Sequence, residues 1–116
     1  MKFKDFETLK KNKDFQKVYK EKRIFANRHI IMYVRKNEDE NLRLGVSVSK
    51  KVGNSVVRHH LARLIRESYR LHEDMFNSGL DIVVVARKSA ASISYHDMES
   101  ALLHLFRLHK IIKKSL

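Results

Sequence analysis

Cationic side chains recur at helical spacing in the segment KKVGNSVVRHHLARLIRESYR, which occupies Lys50–Arg70. A helix that turns by about 100° per residue places four of them along one side: His59, Arg63, Arg66 and Arg70. Planar guanidinium groups donate paired hydrogen bonds to phosphate oxygens, so a row of them can follow one nucleic-acid backbone. The chemistry predicted for this row is binding of a polyanion, and we assign it no catalytic residue.

Electrostatic repulsion supports this interpretation of the row. Neighbouring like charges on a helix repel by roughly 0.2–0.5 kcal/mol per pair, and only Glu67 lies close enough in sequence to relieve them. A solvated charged face is the alternative, but such faces usually carry interspersed acidic residues. Further cations stand at the helix entry, where the helix dipole already favours anions: Lys50, Lys51 and Arg58. A bound phosphate would relieve both conflicts.

The residues between these lysines and the helix can also serve in turn and cap chemistry. Gly53 can adopt a positive φ, and Asn54 or Ser55 can cap the first helical turn. The Asn54 amide can also donate to RNA. We expect recognition of shape more than of sequence, because the narrow major groove of A-form RNA does not admit a helix that reads bases.

The composition favours the same class of partner. The 116 residues include 25 Lys or Arg and 13 Asp or Glu, giving a net charge of +12, which attracts nucleic acid first and anionic lipid less selectively. The absence of cysteine excludes disulfides, thiol nucleophiles and the common zinc fingers. The longest aliphatic run, Ile82–Ala86, is far too short to span a membrane, and the N-terminus lacks a signal-peptide core. We therefore expect a cytoplasmic protein without a membrane partner.

Hydrophobic periodicity predicts one α/β domain of the α+β sandwich type over residues 1–116, with elements in the order α-β-β-α-β-α. The first two strands are joined by a polar turn at 36–41, which predicts a hairpin. The third strand is apolar on both faces, so we expect it to be central. The elements are predicted as a helix at 8–22, strands at 28–35 and 42–50, a helix at 55–72, a strand at 80–88, and a helix capped by Ser94 that includes Ile112. The middle helix is expected to bury Val57, Leu61, Leu64, Ile65, Ser68 and Leu71.

The run KKVGNSVVR followed by RLIRE resembles the signature of the protein subunit of bacterial ribonuclease P. The likeness extends to LKKNKDFQKVY, ANR, LGVSVSKK and IVVVARK, so it covers almost the whole chain. It implies a small mixed sheet packed by helices, with a left-handed βαβ crossover that departs from the general rule. It also implies that a separate RNA subunit carries the active site with its Mg²⁺ ions and removes the 5′ leader of precursor tRNA. The protein would bind both RNAs, without a cofactor, metal or small-molecule substrate of its own.

Carried over residue by residue, the resemblance places RNA-subunit binding at Lys50, Lys51, Gly53, Asn54, Arg58, Arg63 and Arg66. The helical arc adds His59 and Arg70. The family usually has Arg-Asn-Arg where this chain has Arg58, His59 and His60, and lysine is common at Ala62. Because imidazole titrates near neutral pH and an adjacent anion favours its protonated form, we hypothesise that His59 partly replaces the missing charge. His60 lies off the arc and is interpreted as a plain surface residue.

The resemblance also implies a cleft for the tRNA leader between the first helix and the sheet, at Phe15, Tyr19, Ile31, Tyr33, Ser47 and Ser49. Strand alternation agrees in part, because Ile31 and Tyr33 face away from the predicted core, beside Arg43. Aromatic, small and basic groups together suit a single strand. For Phe15 and Tyr19, at i,i+4, packing in a core is the alternative.

Three competing functions are less compatible with the sequence. A nuclease without an RNA subunit needs clustered carboxylates to hold magnesium, whereas Glu38, Asp39 and Glu40 share a single turn. A ribosomal or DNA-binding protein could use HLARLIRESYR as a recognition helix, but the preceding segment has a strand pattern rather than a helix and tight turn. A zinc site built from the seven histidines lacks a pair at i,i+4 with a third ligand nearby.

Overall fold

The computed structural model describes residues 7–38, 40–72 and 79–110. The predicted order of the long elements is confirmed, and two short strands, β1 and β2, are added to it. In chain order the elements are β1 (Glu7–Thr8), α1 (Asn12–Lys20), β2 (Ile24–Ala26), β3 (Ile30–Lys36), β4 (Leu42–Ser47), α2 (Ser55–Leu71), β5 (Leu80–Ala86), a short 3₁₀ helix (Lys88–Ala90) and α3 (Tyr95–His109).

The five strands form one mixed sheet in the order β1-β4-β5-β3-β2. The central position predicted for β5 is confirmed, but the predicted hairpin between β3 and β4 is wrong. β5 lies between those strands, antiparallel to β3 and parallel to β4. Apart from Asp81 its residues are apolar, and all but Val85 are buried, as expected for a strand that is paired on both edges and covered on both faces. The polar segment after β3 therefore crosses two strand spacings, roughly 10 Å, and is closed by an Asn37 side chain that donates to the Asn41 carbonyl at 2.9 Å.

Parallel β4 and β5, with α2 between them in the chain, form the expected βαβ unit; its handedness stays a prediction. α2 and α3 cover one face of the sheet, and their inner sides close the main core. In α2 the buried arc is rotated from the predicted one. Leu71 is 60% exposed, whereas Tyr69 is fully buried with its ring 6.2 Å from that of Phe106. The expectation for Leu71 was wrong because Tyr69 takes the core side of the last turn, and a residue two positions later lies about 200° away on the helix, toward solvent.

The ends of the outer helices also differ from the sequence pattern. α1 is shorter than predicted because Thr8 pairs with Leu44 as part of β1, and Leu9 N–H donates to the Leu44 carbonyl at 2.9 Å. The Ser94 cap of α3 is confirmed, since its hydroxyl accepts from Asp97 N–H at 3.1 Å. The predicted continuation to Ile112 lies outside the described residues.

α1 packs on the opposite face of the sheet and closes a smaller core around Val18 and Val83. The molecule thus has three layers, with α2 and α3 on one side of the sheet and α1 on the other. Because α1 covers only part of its face, side chains beside it stay half-exposed. This arrangement places the arginine row of α2 and the predicted leader cleft on different layers.

Candidate RNA-binding surfaces

The entry to α2 is a tight turn followed by a capped helix. Val52 N–H donates to the Ser49 carbonyl at 3.1 Å, and Asn54, at the N-cap, accepts from Val57 N–H at 3.0 Å through its side-chain oxygen. The cap uses only the oxygen of the exposed Asn54 amide. Capping and donation of an N–H to RNA are therefore compatible for this residue.

Gly53 is required here for space and not for its dihedral angles. Among the glycines of the described segments, a positive φ occurs at Gly79, so the expected role of a positive φ at Gly53 is wrong. A Cβ atom at Gly53 would lie 2.8 Å from a methyl carbon of Val57. The glycine therefore lets the turn pack directly on the first turn of α2.

Cations surround this helix entry. Lys50 and Lys51 are exposed, and Arg58 is half-buried, with an Nε atom that is buried and lacks a hydrogen-bond partner in the part of the chain that the structure describes. The first turn of α2 carries no acidic residue. The positive end of the helix dipole and these side chains therefore concentrate positive charge at one point, where an anion is favoured.

The predicted row of cationic side chains along α2 is present, but its members differ in whether an acidic side chain pairs with them. His59, Arg63 and Arg66 are exposed, and they line one open groove together with His60 and Glu67. Arg70 is half-buried and forms an ion pair with Glu67 one turn earlier. No ion pair is formed by Arg63 or Arg66 within the described residues. The charges without an ion pair in the described segments are thus those of Arg63 and Arg66. His60, interpreted from sequence as a plain surface residue off the arc, lines the same groove.

Strand register determines which side chains lie side by side on the face of the sheet under α1. Three rows of side chains cross β3, β5 and β4 in that order on this face. The rows are Ile31–Val85–Ser47, Tyr33–Val83–Gly45 and Arg35–Asp81–Arg43. The face is thus apolar or small in its middle and ionic at one end, with the exposed Ser49 beyond the opposite end. A groove of this composition suits an extended, unpaired strand of RNA.

The aromatic residues of α1 both pack and line this groove. Phe15 lies over Gly45, where an added Cβ would be 2.7 Å from the ring carbon Cζ. The ring of Tyr19 lies 4.7 Å from that of Tyr33 in an edge-to-face arrangement and 6.3 Å from that of Phe15. All three rings are half-buried. Packing and lining are therefore not alternatives, because one side of each ring supports the fold while the other stays accessible.

The Tyr19 hydroxyl is held as a neutral hydrogen-bonding group. Burial raises the pKa of Tyr19 above its usual value of 10.0, the neighbouring Tyr33 adds to this rise, and a hydrogen bond with Ser47 opposes it. Since the pKa is raised, the phenol stays protonated at neutral pH and carries no charge that would repel a phosphate.

A buried carboxylate that the sequence patterns did not reveal organises the ionic row. Asp81 is 4% exposed and lies 3.5 Å from the Nη1 atoms of both Arg35 and Arg43. Asn37 donates to its Oδ1 at 2.9 Å. A lone acid inside an otherwise apolar strand was the available signal, because buried charges require partners. Arg43 is thus part of an ion cluster, and its contact with the leader stays a prediction.

The two candidate surfaces meet where β4 ends. The groove under α1 terminates at Ser47 and Ser49, and the chain continues directly into Lys50 and Lys51 at the entry to α2. Four residues span at most about 14 Å. An RNA strand in the groove and a second RNA on α2 would therefore approach each other at this segment.

Metal-binding clusters and membrane-spanning helices are both absent from the described ranges. No three His, Asp or Glu side chains there are grouped so that they could hold a metal ion. Within the same residues, none of the helices has the length and apolar character needed to cross a bilayer.

Comparisons with known proteins agree along nearly the whole chain. The sequence model of the family described as Ribonuclease P matches residues 3–110. The ribonuclease P protein component of Lachnoclostridium phytofermentans is 58% identical over 109 residues, covering 94% of both chains, and that of Alkaliphilus metalliredigens is 50% identical over 90% of this chain and 94% of its own.

Solved structures give the same result. The RNase P protein of Staphylococcus aureus superposes with a TM-score of 0.86 at 36% identity, covering 94% of this chain and 100% of the other. The RNase P protein from Thermotoga maritima superposes with a TM-score of 0.80 at 30% identity, covering 88% of this chain and 96% of the other.

Proposed function

This chain belongs to the bacterial ribonuclease P protein family, whose members act with an RNA subunit in removal of the 5′ leader from precursor tRNA, and we propose how its two surfaces divide that work. It is the protein component of a ribonucleoprotein endoribonuclease, and its macromolecular partner is ribonuclease P RNA. In the proposal, α2 and its entry bind the RNA subunit, and the groove under α1 binds the leader of precursor tRNA.

One observation carries the assignment of α2. Arg63 and Arg66 are exposed without an ion pair in the described chain, whereas Arg70 is paired with Glu67. Each guanidinium group can donate paired hydrogen bonds to a phosphate, so two of them on one helix face can contact the same RNA backbone. The cations at the helix entry extend this surface toward the groove.

The groove supports binding of an unpaired strand by its shape and composition. Half-exposed faces of Phe15, Tyr19 and Tyr33 offer stacking surfaces, and the neutral Tyr19 hydroxyl with Ser47 offers hydrogen bonds. Because the groove ends at the lysines of the α2 entry, a leader lying in it would be held beside the RNA subunit. The protein would thereby orient the substrate strand without touching the reacting bond.

Chemistry in this proposal belongs to the RNA subunit. Magnesium ions held by that RNA would supply the metal-ion chemistry of the cleavage. The residues of this chain bind, orient and neutralise phosphate charge. The proposed place of action is the cytoplasm, because both RNAs are made there.

The proposal is tested by adding the protein to a bacterial ribonuclease P RNA at a magnesium concentration too low for the RNA alone. We expect processing of precursor tRNA to be restored. The RNA alone at high magnesium controls for its folding. The protein without RNA is expected to leave the substrate intact, and cleavage by the protein alone would contradict the division of labour.

His59 is expected to make RNA-subunit binding depend on pH. The imidazole adjoins Arg63, Arg66, His60 and Glu67 in one groove, where a protonated ring would add a charged hydrogen bond to an RNA phosphate. One added exposed charge contact is worth up to about 1 kcal/mol, so binding at pH 6 should be about two- to fivefold tighter than at pH 8.

The measurement is the dissociation constant of the RNA subunit at both pH values. His59→Gln should remove most of the pH dependence, while the neighbouring His60→Gln should retain it. Equal dissociation constants at pH 6 and pH 8 for the unmodified protein would refute the role of His59.

A further inference from the structure

A third polar site lies where the turn between β2 and β3 meets the outer side of α3. It is an open pocket of about 310 Å³, at the small end of the range for ligand sites, roughly 300–1,000 Å³. It shares no residue with the α2 surface or the groove under α1. Its polar lining consists of Asn27, Arg28, His29, Asp97, Ser100 and His104.

Asn27 determines which nitrogen of one imidazole in this pocket accepts a hydrogen bond. Its side-chain oxygen accepts from the backbone N–H groups of His29 at 3.2 Å and Ile30 at 3.1 Å, so the amide nitrogen must point the other way. That nitrogen donates to the Ala101 carbonyl at 3.0 Å and lies 3.2 Å from His104 Nδ1. An amide nitrogen only donates, so His104 Nδ1 accepts. The outward Nε2 of His104 therefore carries the hydrogen.

Ser89 determines which nitrogen of the other imidazole, that of His29, donates a hydrogen bond. Its hydroxyl lies 2.6 Å from the Arg28 carbonyl, which can only accept, so the single hydroxyl hydrogen is used there. The same oxygen lies 3.2 Å from His29 Nδ1, which must then be the donor. In the neutral ring, Nε2 of His29 is left as an acceptor.

With both rings neutral, the pocket presents an Nε2 donor on His104 and an Nε2 acceptor on His29, beside the exposed guanidinium group of Arg28. The edge of an unpaired nucleobase offers the complementary acceptor and donor, and its phosphate matches the guanidinium group. Asp97 repels phosphate from the α3 side, which directs the phosphate toward Arg28.

We propose that this pocket binds a single unpaired nucleotide of RNA. The proposal rests on the proposed function, since it requires a holoenzyme that brings RNA to the protein. The shared chemistry is that of a nucleotide, and its source is either the RNA subunit or precursor tRNA. A nucleotide held here would give the protein a third contact with RNA, beyond the α2 surface and the leader groove.

The first test measures affinities of the reconstituted holoenzyme. His29→Phe and His104→Phe keep a planar aromatic ring but remove the outward acceptor and donor, and each should weaken binding of one of the two RNAs about 5- to 10-fold. Arg28→Gln should weaken binding of the same RNA. Lys36→Gln, at the opposite end of β3, is the control for general loss of charge, and thermal melts verify folding of each variant.

The second test identifies the RNA. The chain has no cysteine, so Ser100→Cys provides a unique thiol in the pocket for a photocrosslinker. We expect a crosslink to an unpaired nucleotide, and the crosslinked molecule shows whether the RNA subunit or precursor tRNA supplies it. Adding His29→Phe in this background should lower the yield.

Two outcomes would overturn the site. Unchanged affinities for both RNAs in His29→Phe and His104→Phe would do so, as would the absence of any RNA crosslink from Ser100→Cys while the holoenzyme stays active. Failure of the unmodified protein to stimulate the RNA subunit is a different result, because it contradicts the proposed function itself.

Discussion

Replacing Arg63 and Arg66 together by glutamine should weaken binding of ribonuclease P RNA about 30- to 150-fold at moderate salt. Both side chains are exposed and have no ion pair within the described residues, so each is available for a phosphate. A charge-assisted contact of this kind is worth about 1–1.5 kcal/mol at a partly solvated site, and two give the stated range. Equilibrium binding of labelled RNA subunit measures the change.

Arg70→Gln is the matched control for this variant. It removes the same charge from the same helix face, but Arg70 is already paired with Glu67, so the loss should be about threefold or less. If Arg70→Gln weakened binding as much as the double substitution, position on the helix and not charge balance would decide the contact. Binding of the double variant at the unmodified level would remove α2 from the interface.

Tyr19→Ala should weaken binding of precursor tRNA about 5- to 150-fold and leave binding of mature tRNA unchanged. Stacking of one unpaired base on an aromatic ring is worth about 1–3 kcal/mol, and the ring of Tyr19 is half-exposed at the groove. Only precursor tRNA has a leader to place there. The measurement is the dissociation constant of each tRNA for holoenzyme saturated with protein.

Tyr19→Phe separates stacking from the hydroxyl group. It keeps the ring against Tyr33 and removes only the hydrogen bond with Ser47, so precursor binding should fall by about threefold or less. Because Tyr19→Ala also loosens the small core beneath α1, a thermal melt must show that the variant is folded. Equal weakening for precursor and mature tRNA would count against a leader groove.

The arginine row and the cap of α2 could be predicted from sequence because both depend on local spacing. Helical periodicity placed Arg63 and Arg66 together, and the short polar residues Asn54 and Ser55 before the apolar repeat were the two candidates for the cap, of which Asn54 is the one observed. Local spacing also suggested that only Glu67 could relieve the row. It could not show that Glu67 pairs with Arg70, while the two earlier arginines form no ion pair within the described part of the chain.

Long-range strand pairing was the part that sequence patterns did not determine. Alternation in β3 and β4 with a polar turn between them is compatible with a hairpin, and only the insertion of β5 excludes it. The pairing that defines the groove, such as Ile31 and Ser47 on either side of Val85, follows from that insertion. The groove was therefore expected from family resemblance rather than from periodicity.

Contacts between segments that are distant in sequence could not be predicted from sequence patterns either. The ring of Phe15 over Gly45 and the two arginines beside Asp81 join residues that are far apart in sequence. Neither residue type nor spacing identifies such partners, although an acid in an apolar strand signals that one must exist.

The central claim is that two separate surfaces of one small protein bind two RNAs, and a crossed measurement tests it most directly. For the Arg63→Gln/Arg66→Gln and Tyr19→Ala variants, both the affinity for ribonuclease P RNA and, at saturating protein, the ratio of precursor to mature tRNA affinity are determined. Arg63→Gln/Arg66→Gln should lower the affinity for ribonuclease P RNA and leave the tRNA affinity ratio unchanged. Tyr19→Ala should lower the tRNA affinity ratio and leave the affinity for ribonuclease P RNA unchanged. A parallel decline of both quantities in both variants would contradict the claim.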